Sequence, residues 1–122
     1  MAFYGYAKCS TCRKAKKYLD AQGIAVMVID ITTNPPPRSL LRAIVRGSQY
    51  RLQDLFNRSG EMYRTLNMKE QLKTRSEAEL LTLLTKHGRL IKRPIITDGK
   101  RHTVGFDEAL MQRTWVERGK RS

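Results

Sequence analysis

An α/β fold with a mixed sheet is the class predicted for this 122-residue chain, and three observations predict it. A strand, a helix and a second strand fit into the opening stretch, which has the length of a βαβ unit, about 30 residues. The last third holds a strand, a turn signal, a strand and a helix. Between these two parts the apolar positions recur at helical spacing, interrupted by proline and glycine. The length predicts a single domain, 1–122, with an α-helical insertion at about 35–88. A core of that size folds without staples.

The elements follow in order. Ala2 to Ala7 is rich in aromatics and predicts a short strand. From Ser10 to about Gln22 the pattern is helical, with Cys12, Ala15 and Leu19 on one side and Gly23 as a stop. Ile24 to Ile31, with the apolar run Ala25-Val26-Met27-Val28-Ile29, predicts a buried strand. Pro35-Pro36-Pro37 opens a helix over Arg38 to Arg46, closed by Gly47. Leu52 to Phe56, Glu61 to Leu66 and Lys69 to Leu72 predict short helical turns. Ser76-Glu77-Ala78-Glu79 is a capping box ahead of a leucine-rich helix that ends near Gly88. Arg93 to Thr97 and Arg101 to Phe106 are strands joined by the hairpin signal Asp98-Gly99. Asp107 caps a last helix, Glu108 to about Glu117, and the basic tail Arg118 to Ser122 predicts a frayed end.

The net charge is +13. Such a charge invites an acidic or nucleic-acid partner. Between Asp30 and Asp54 there is no acid, and Arg38, Arg42, Arg46 and Arg51 fall inside that gap. The first three are spaced by four and share a helix face. No apolar run has the length of a membrane span. The start, Met1 to Tyr6, lacks a basic segment followed by a long apolar one. The expected location is therefore the cytoplasm, a reducing compartment with no membrane contact. Two cysteines three positions apart are there more often catalytic or metal-binding than a staple.

Those cysteines are Cys9 and Cys12, in Cys9-Ser10-Thr11-Cys12. A nucleophilic sulfur must be a thiolate, whereas a free cysteine has a pKa of about 8.5. Cys9 stands just before a predicted helix, where backbone N–H groups and the dipole favour negative charge. Arg13 and Lys14 follow in the first turn. Cys12 lies on the apolar face, which assigns it the role of resolving thiol after attack by Cys9. Zinc needs about four ligands, and only His87 and His102 remain, at spacings that match no usual site. The expectation is therefore no metal and no organic cofactor. An inert pair of packed cysteines is the other reading. Arg93-Pro94 is the second constellation: thioredoxin-like folds place a cis proline beside the active cysteine at the start of this strand, and a plain strand-initiating proline is the alternative.

Three segments together carry a resemblance. Cys9-Ser10-Thr11-Cys12-Arg13-Lys14-Ala15, Leu90-Ile91-Lys92-Arg93-Pro94-Ile95-Ile96 and Val104-Gly105-Phe106 resemble the family shared by plasmid-type, glutaredoxin-linked arsenate reductases (ArsC) and the Spx/MgsR regulators. The likeness is greatest to its short arsenate-reductase-like members with a CxxC motif. It implies a thioredoxin-like fold with a helical insertion. It implies Cys9 as nucleophile, Arg13 and Arg93 as stabilising cations, and glutathione, glutaredoxin or thioredoxin as reductant. Reductases of this type bind their oxyanion with three arginines. Arg93 matches one, and the other two fall near Gln53 and Gly105, which carry no charge. Spx-like regulators use the CxxC as a redox switch. They bind the C-terminal domain of the RNA polymerase α subunit through the insertion, where Arg38, Arg42, Arg46, Gly47 and Arg51 lie. They also carry an extended C-terminal segment, whereas this chain ends at Ser122. Two functions stand open: a reductase working by thiol–disulfide exchange, and a redox-switched transcription regulator. Direct DNA binding is a weaker third.

Overall fold

The computed structural model describes residues 1–47 and 49–117; the predicted frayed tail lies outside them. The chain divides into two compact units, one made of Met1–Asp30 with Arg93–Ser122, whose described part ends at Glu117, and the other of Ile31–Lys92.

The first unit is built on a four-stranded sheet. Its strands are β1 (Ala2–Gly5), β2 (Met27–Asp30), β3 (Ile95–Thr97) and β4 (His102–Val104), in the order β2-β1-β3-β4. β2 runs parallel to β1, while β3 and β4 are antiparallel to their neighbours. A parallel neighbour needs a crossover, and α1 (Ser10–Ala21) provides it. Past α1, Gly23 takes φ +72° and donates to Asp20 O, so the residue type that tolerates the left-handed region ends the helix. One side of the sheet and the apolar face of α1 bury Phe3, Cys12, Ala15, Leu19 and Ile96 together with Met111 and Trp115. The strand–helix–strand start and strand–strand–helix end form the thioredoxin-like arrangement, a mixed α/β sheet.

Two expectations are corrected in this unit. The second strand is not a buried run over Ile24 to Ile31. Only Met27–Asp30 pairs, and Met27 and Val28 are 64% and 56% exposed. The physical reason is its place: β2 is an edge strand, and α1 covers Phe3 on β1 but not Val28, which sits opposite it. The last helix is α-helical only over Glu108–Met111 (α6), capped by Asp107, whose Oδ1 accepts from the N–H groups of Ala109 and Leu110. From Gln112 to Glu117 it widens into a π-helical turn. Within that turn the Trp115 indole N–H donates to Thr103 Oγ1 at 3.0 Å.

The second unit is helical: α2 (Arg38–Arg46), a 3₁₀ turn (Leu52–Leu55), α3 (Glu61–Thr65), α4 (Met68–Thr74), α5 (Glu77–Lys86) and a 3₁₀ turn (Gly88–Leu90). α2 packs on α5, and Leu41, Ile44, Leu80, Leu81 and Leu84 are buried. The capping box is present: Ser76 Oγ accepts from the Glu79 N–H, and Glu79 Oε1 accepts from the Ser76 N–H. Gly88 is required by close approach, since a Cβ there would lie 2.0 Å from Ile31 O. None of the described helices is long and apolar enough to cross a membrane.

Candidate redox site

The site forms where β1 turns into α1. The Cys9 N–H donates to Tyr6 O at 3.0 Å, which closes a tight turn. Cys9 then adopts φ −85°, ψ 117° as the N-cap of α1. A side-chain oxygen normally takes this position and satisfies a free helix N–H. Here the acceptor is sulfur: the Cys12 N–H donates to Cys9 Sγ at 3.4 Å. Ordering of the helix start and stabilisation of a thiolate are thus one contact, and a negative sulfur fits it best.

The two thiols, both free, are driven apart. Partial burial opposes charge on Cys9, but hydrogen bonds from the Cys12 thiol and N–H, and from Arg93 with its positive charge, outweigh it and hold the Cys9 pKa below the ordinary value. Cys12, 3% exposed, is pushed up to about 12, by burial first and then by its hydrogen bond to Cys9 and the Cys9 charge. A backbone hydrogen bond from Tyr6 and the charge of Arg93 act in the opposite direction on Cys12. The pair is thus biased in opposite directions, toward the thiolate at the helix lip and toward the protonated thiol in the core.

Arg93 reaches the site through the peptide ahead of β3. The Arg93–Pro94 bond is cis, and Gly105, at φ +77°, donates to Pro94 O at 2.9 Å, joining the end of β4 to the start of β3. The Arg93 guanidinium lies over the Tyr6 ring, 5.7 Å from its centroid. Gly5 permits close packing beneath: a Cβ there would lie 2.6 Å from Phe3 Cε1 and 3.4 Å from Cys12 Sγ.

A model of the ArsC family matches residues 4–114. The chain belongs to the ArsC family. It is 47% identical over 116 residues to the uncharacterized protein YusI of Bacillus subtilis, covering 95% of this chain and 98% of that one. It is 32% identical over 100 residues to the global transcriptional regulator Spx of Streptococcus pneumoniae, covering 82% of this chain and 74% of Spx. The solved structure of a possible arsenate reductase from Streptococcus mutans matches with TM-score 0.80 and 42% identity, over 86% of this chain and 89% of that one.

In this ArsC-family chain the structure brings together Cys9, Cys12 and Arg93, three of the four residues singled out in the sequence. The fourth, Arg13, is turned elsewhere: its guanidinium donates to Ala7 O at 3.0 Å and ties the turn to α1. Tyr6 was missed. Its aromatic side chain read only as strand composition, and nothing local signals that its carbonyl, amide and ring meet three different site residues. The α2 arginines are exposed. Arg46 stands 3.9 Å from Glu77, and Arg51 stands 3.9 Å from Asp54. Among the described residues no group of three His, Cys, Asp or Glu side chains is placed to hold a metal.

Proposed function

We propose that this protein is a cytoplasmic thiol reductase that acts by thiol–disulfide exchange, with Cys9 attacking and Cys12 resolving. One observation carries the reading: the Cys9 sulfur caps the helix beside Arg93 and is held below its ordinary pKa, while the buried Cys12 thiol is pushed up to about 12. The Cys9 thiolate attacks one sulfur of an oxidised substrate R–S–S–R′. That S–S bond breaks, and R′S⁻ leaves and takes a proton from water. Cys9 is now neutral, so its charge and its hydrogen bond no longer hold the proton on Cys12. Only burial still raises the Cys12 pKa, and the thiol becomes easier to ionise at the moment it is needed. Cys12 then attacks Cys9 Sγ and breaks the Cys9–SR bond, and its proton leaves with the departing group as RSH. Two electrons have passed to the substrate, and a Cys9–Cys12 disulfide remains. Glutathione, glutaredoxin or thioredoxin returns the two electrons.

With arsenate, Cys9 displaces water from arsenic, and attack by Cys12 leaves the electron pair on arsenic as arsenite. Arg93 is the cation placed beside Cys9 for such an anion. Gln53 and Gly105 supply no charge. This favours disulfides or other oxidised thiols over arsenate, a multiply charged ion that needs charged donors. Mass spectrometry tests the scheme. With oxidised glutathione, wild type should end as the intramolecular disulfide, and Cys12→Ser should stop at one glutathione on Cys9. Failure of both products would reject it. NADPH oxidation linked to glutaredoxin or thioredoxin, started by arsenate, tests the arsenate version, and a flat trace removes it.

Similarity to Spx and the exposed Arg38, Arg42 and Arg46 support a second reading, a regulator whose CxxC state gates binding to the C-terminal domain of the RNA polymerase α subunit. It requires co-purification with that domain that changes with redox state and is lost in Arg46→Glu. Binding indifferent to both removes it.

A further inference from the structure

The helical unit carries a cavity that the redox chemistry does not use. It measures about 420 Å³ and opens where the start of α2 meets the end of α4 and one face of α5. Helical spacing explains its wall. α5 buries Leu80, Leu81 and Leu84, and the adjoining stripe of Glu79, Thr82, Leu83 and Lys86 lines the cavity. Arg38 on α2, Gln71 on α4 and Arg75 at the end of α4 complete the lining.

The charges of this lining do not cancel. Three cations, Arg38, Arg75 and Lys86, meet one carboxylate, Glu79. Arg38 and Lys86 are exposed, and among the described residues neither is in an ion pair. Both oxygens of Glu79 are engaged. Its Oε2 accepts from Arg75 at 2.9 Å, and its Oε1 accepts from the Ser76 N–H and hydroxyl. Glu79 thus fixes Arg75, whose guanidinium keeps further donors, and two positive charges stay uncompensated. The acids nearest in sequence, Glu70 and Glu77, pair with Lys73 and Arg46.

The neutral groups set a second requirement. Gln71 Nε2 donates to Leu66 O, and Thr82 Oγ1 donates to Ala78 O. Each side chain therefore keeps its oxygen as an acceptor, which a fully deprotonated anion cannot use and a hydroxyl group can. Two uncompensated charges match a phosphate monoester, which carries about −1.5 to −2 at neutral pH. The volume falls among those of small-molecule sites, about 300–1,000 Å³. A nucleic-acid backbone brings single charges spaced along a rod, whereas these cations gather around one concavity.

We propose that the cavity between α2, α4 and α5 binds a small phosphorylated compound that bears hydroxyl groups. Arg38, Arg75 and Lys86 hold the phosphate, and Gln71 and Thr82 accept from the hydroxyls. Every one of these residues belongs to the helical unit, and the site does not rest on the proposed function.

Isothermal titration calorimetry on the full chain tests it. The probes are ribose 5-phosphate, glycerol 3-phosphate, inorganic phosphate and ribose. At least one of the two phosphorylated polyols should bind, with inorganic phosphate about tenfold weaker and ribose not binding. Lys86→Gln and Arg38→Gln should each weaken the bound polyol phosphate about tenfold. Lys69→Gln, at an exposed α4 lysine outside the cavity, should leave it unchanged. Thr82→Val should weaken the polyol phosphate about fivefold and spare inorganic phosphate, a split that general damage to the fold would not produce. Binding of neither polyol phosphate, inorganic phosphate binding as tightly as both, a loss with Lys69→Gln equal to that with Lys86→Gln, or tighter binding of duplex DNA through the same three cations would each overturn the proposal.

Discussion

The open lip and the buried side of the first turn of α1 hold the same chemical group and treat it in opposite ways. At the lip, Cys9 replaces the usual capping oxygen, accepts the Cys12 N–H and faces Arg93. One turn on, Cys12 is 3% exposed, and its thiol is pushed up to about 12. The lesson is that three residues of helix separate a nucleophile from a proton reservoir without any change of residue type. Position against the helix dipole and the core decides the chemistry.

The largest effect should come from removing the lip sulfur. Cys9→Ser should lower exchange with a disulfide by about 10⁴-fold or more, while Cys12→Ser keeps the first attack and stops at the mixed disulfide. Stopped-flow kinetics with quenched samples checks both, and rapid attack by Cys12 in the Cys9 variant would invert the comparison.

Burial of Cys12 should also appear in stability. The folded chain keeps its Cys12 proton up to about 12, whereas an unfolded thiol loses it near about 8.5. That contribution is complete below the unfolded value and is lost as pH rises from there toward the folded one. The slope is at most about 1.4 kcal/mol per pH unit for one proton. Urea midpoints across this alkaline range should fall more steeply for wild type than for Cys12→Ser. Parallel curves would show that Cys12 is not held protonated.

Arg93→Gln removes the cation beside Cys9 and should raise the Cys9 pKa, slowing alkylation at neutral pH on the order of tenfold. The same change in Arg13, which holds Ala7 O, should act mainly on the turn and much less on the sulfur. The smallest effect should be at Tyr6, whose ring supports Arg93. Tyr6→Leu should slow alkylation about threefold with a shifted pH profile, and Tyr6→Phe should restore it, because the face of the ring is what the guanidinium meets. A profile unmoved by Tyr6→Leu would limit Tyr6 to its backbone contacts.

The comparison also marks what local pattern can carry. Residues 9–12, the Ser76 capping box and the Arg38–Arg46 helix were legible because caps, breakers and helical spacing act within one or two turns. The apolar run around Met27 and Val28 misled, since continuous apolar strands are usual in a sheet interior. Its edge place is set by the order β2-β1-β3-β4, a property of pairing across the chain. For the same reason the meeting of Tyr6 with Arg93 was hidden. The two are far apart in sequence, and the strands that join them carry no local mark of it. Arg13 shows the converse: it stands in the first turn after Cys9 in sequence, yet its guanidinium turns onto Ala7 O, and of the two arginines singled out it is Arg93, distant in the chain, whose charge reaches Cys9.

The most direct measurement is the pH dependence of Cys9 alkylation in Cys12→Ser, with thiolate absorbance followed in parallel. A single titration well below about 8.5, the value of a free thiol, is the predicted result, moving upward in the Arg93→Gln background. A sulfur that titrates at or above that value, and ignores Arg93, would contradict the assignment of the helix lip as the reactive centre.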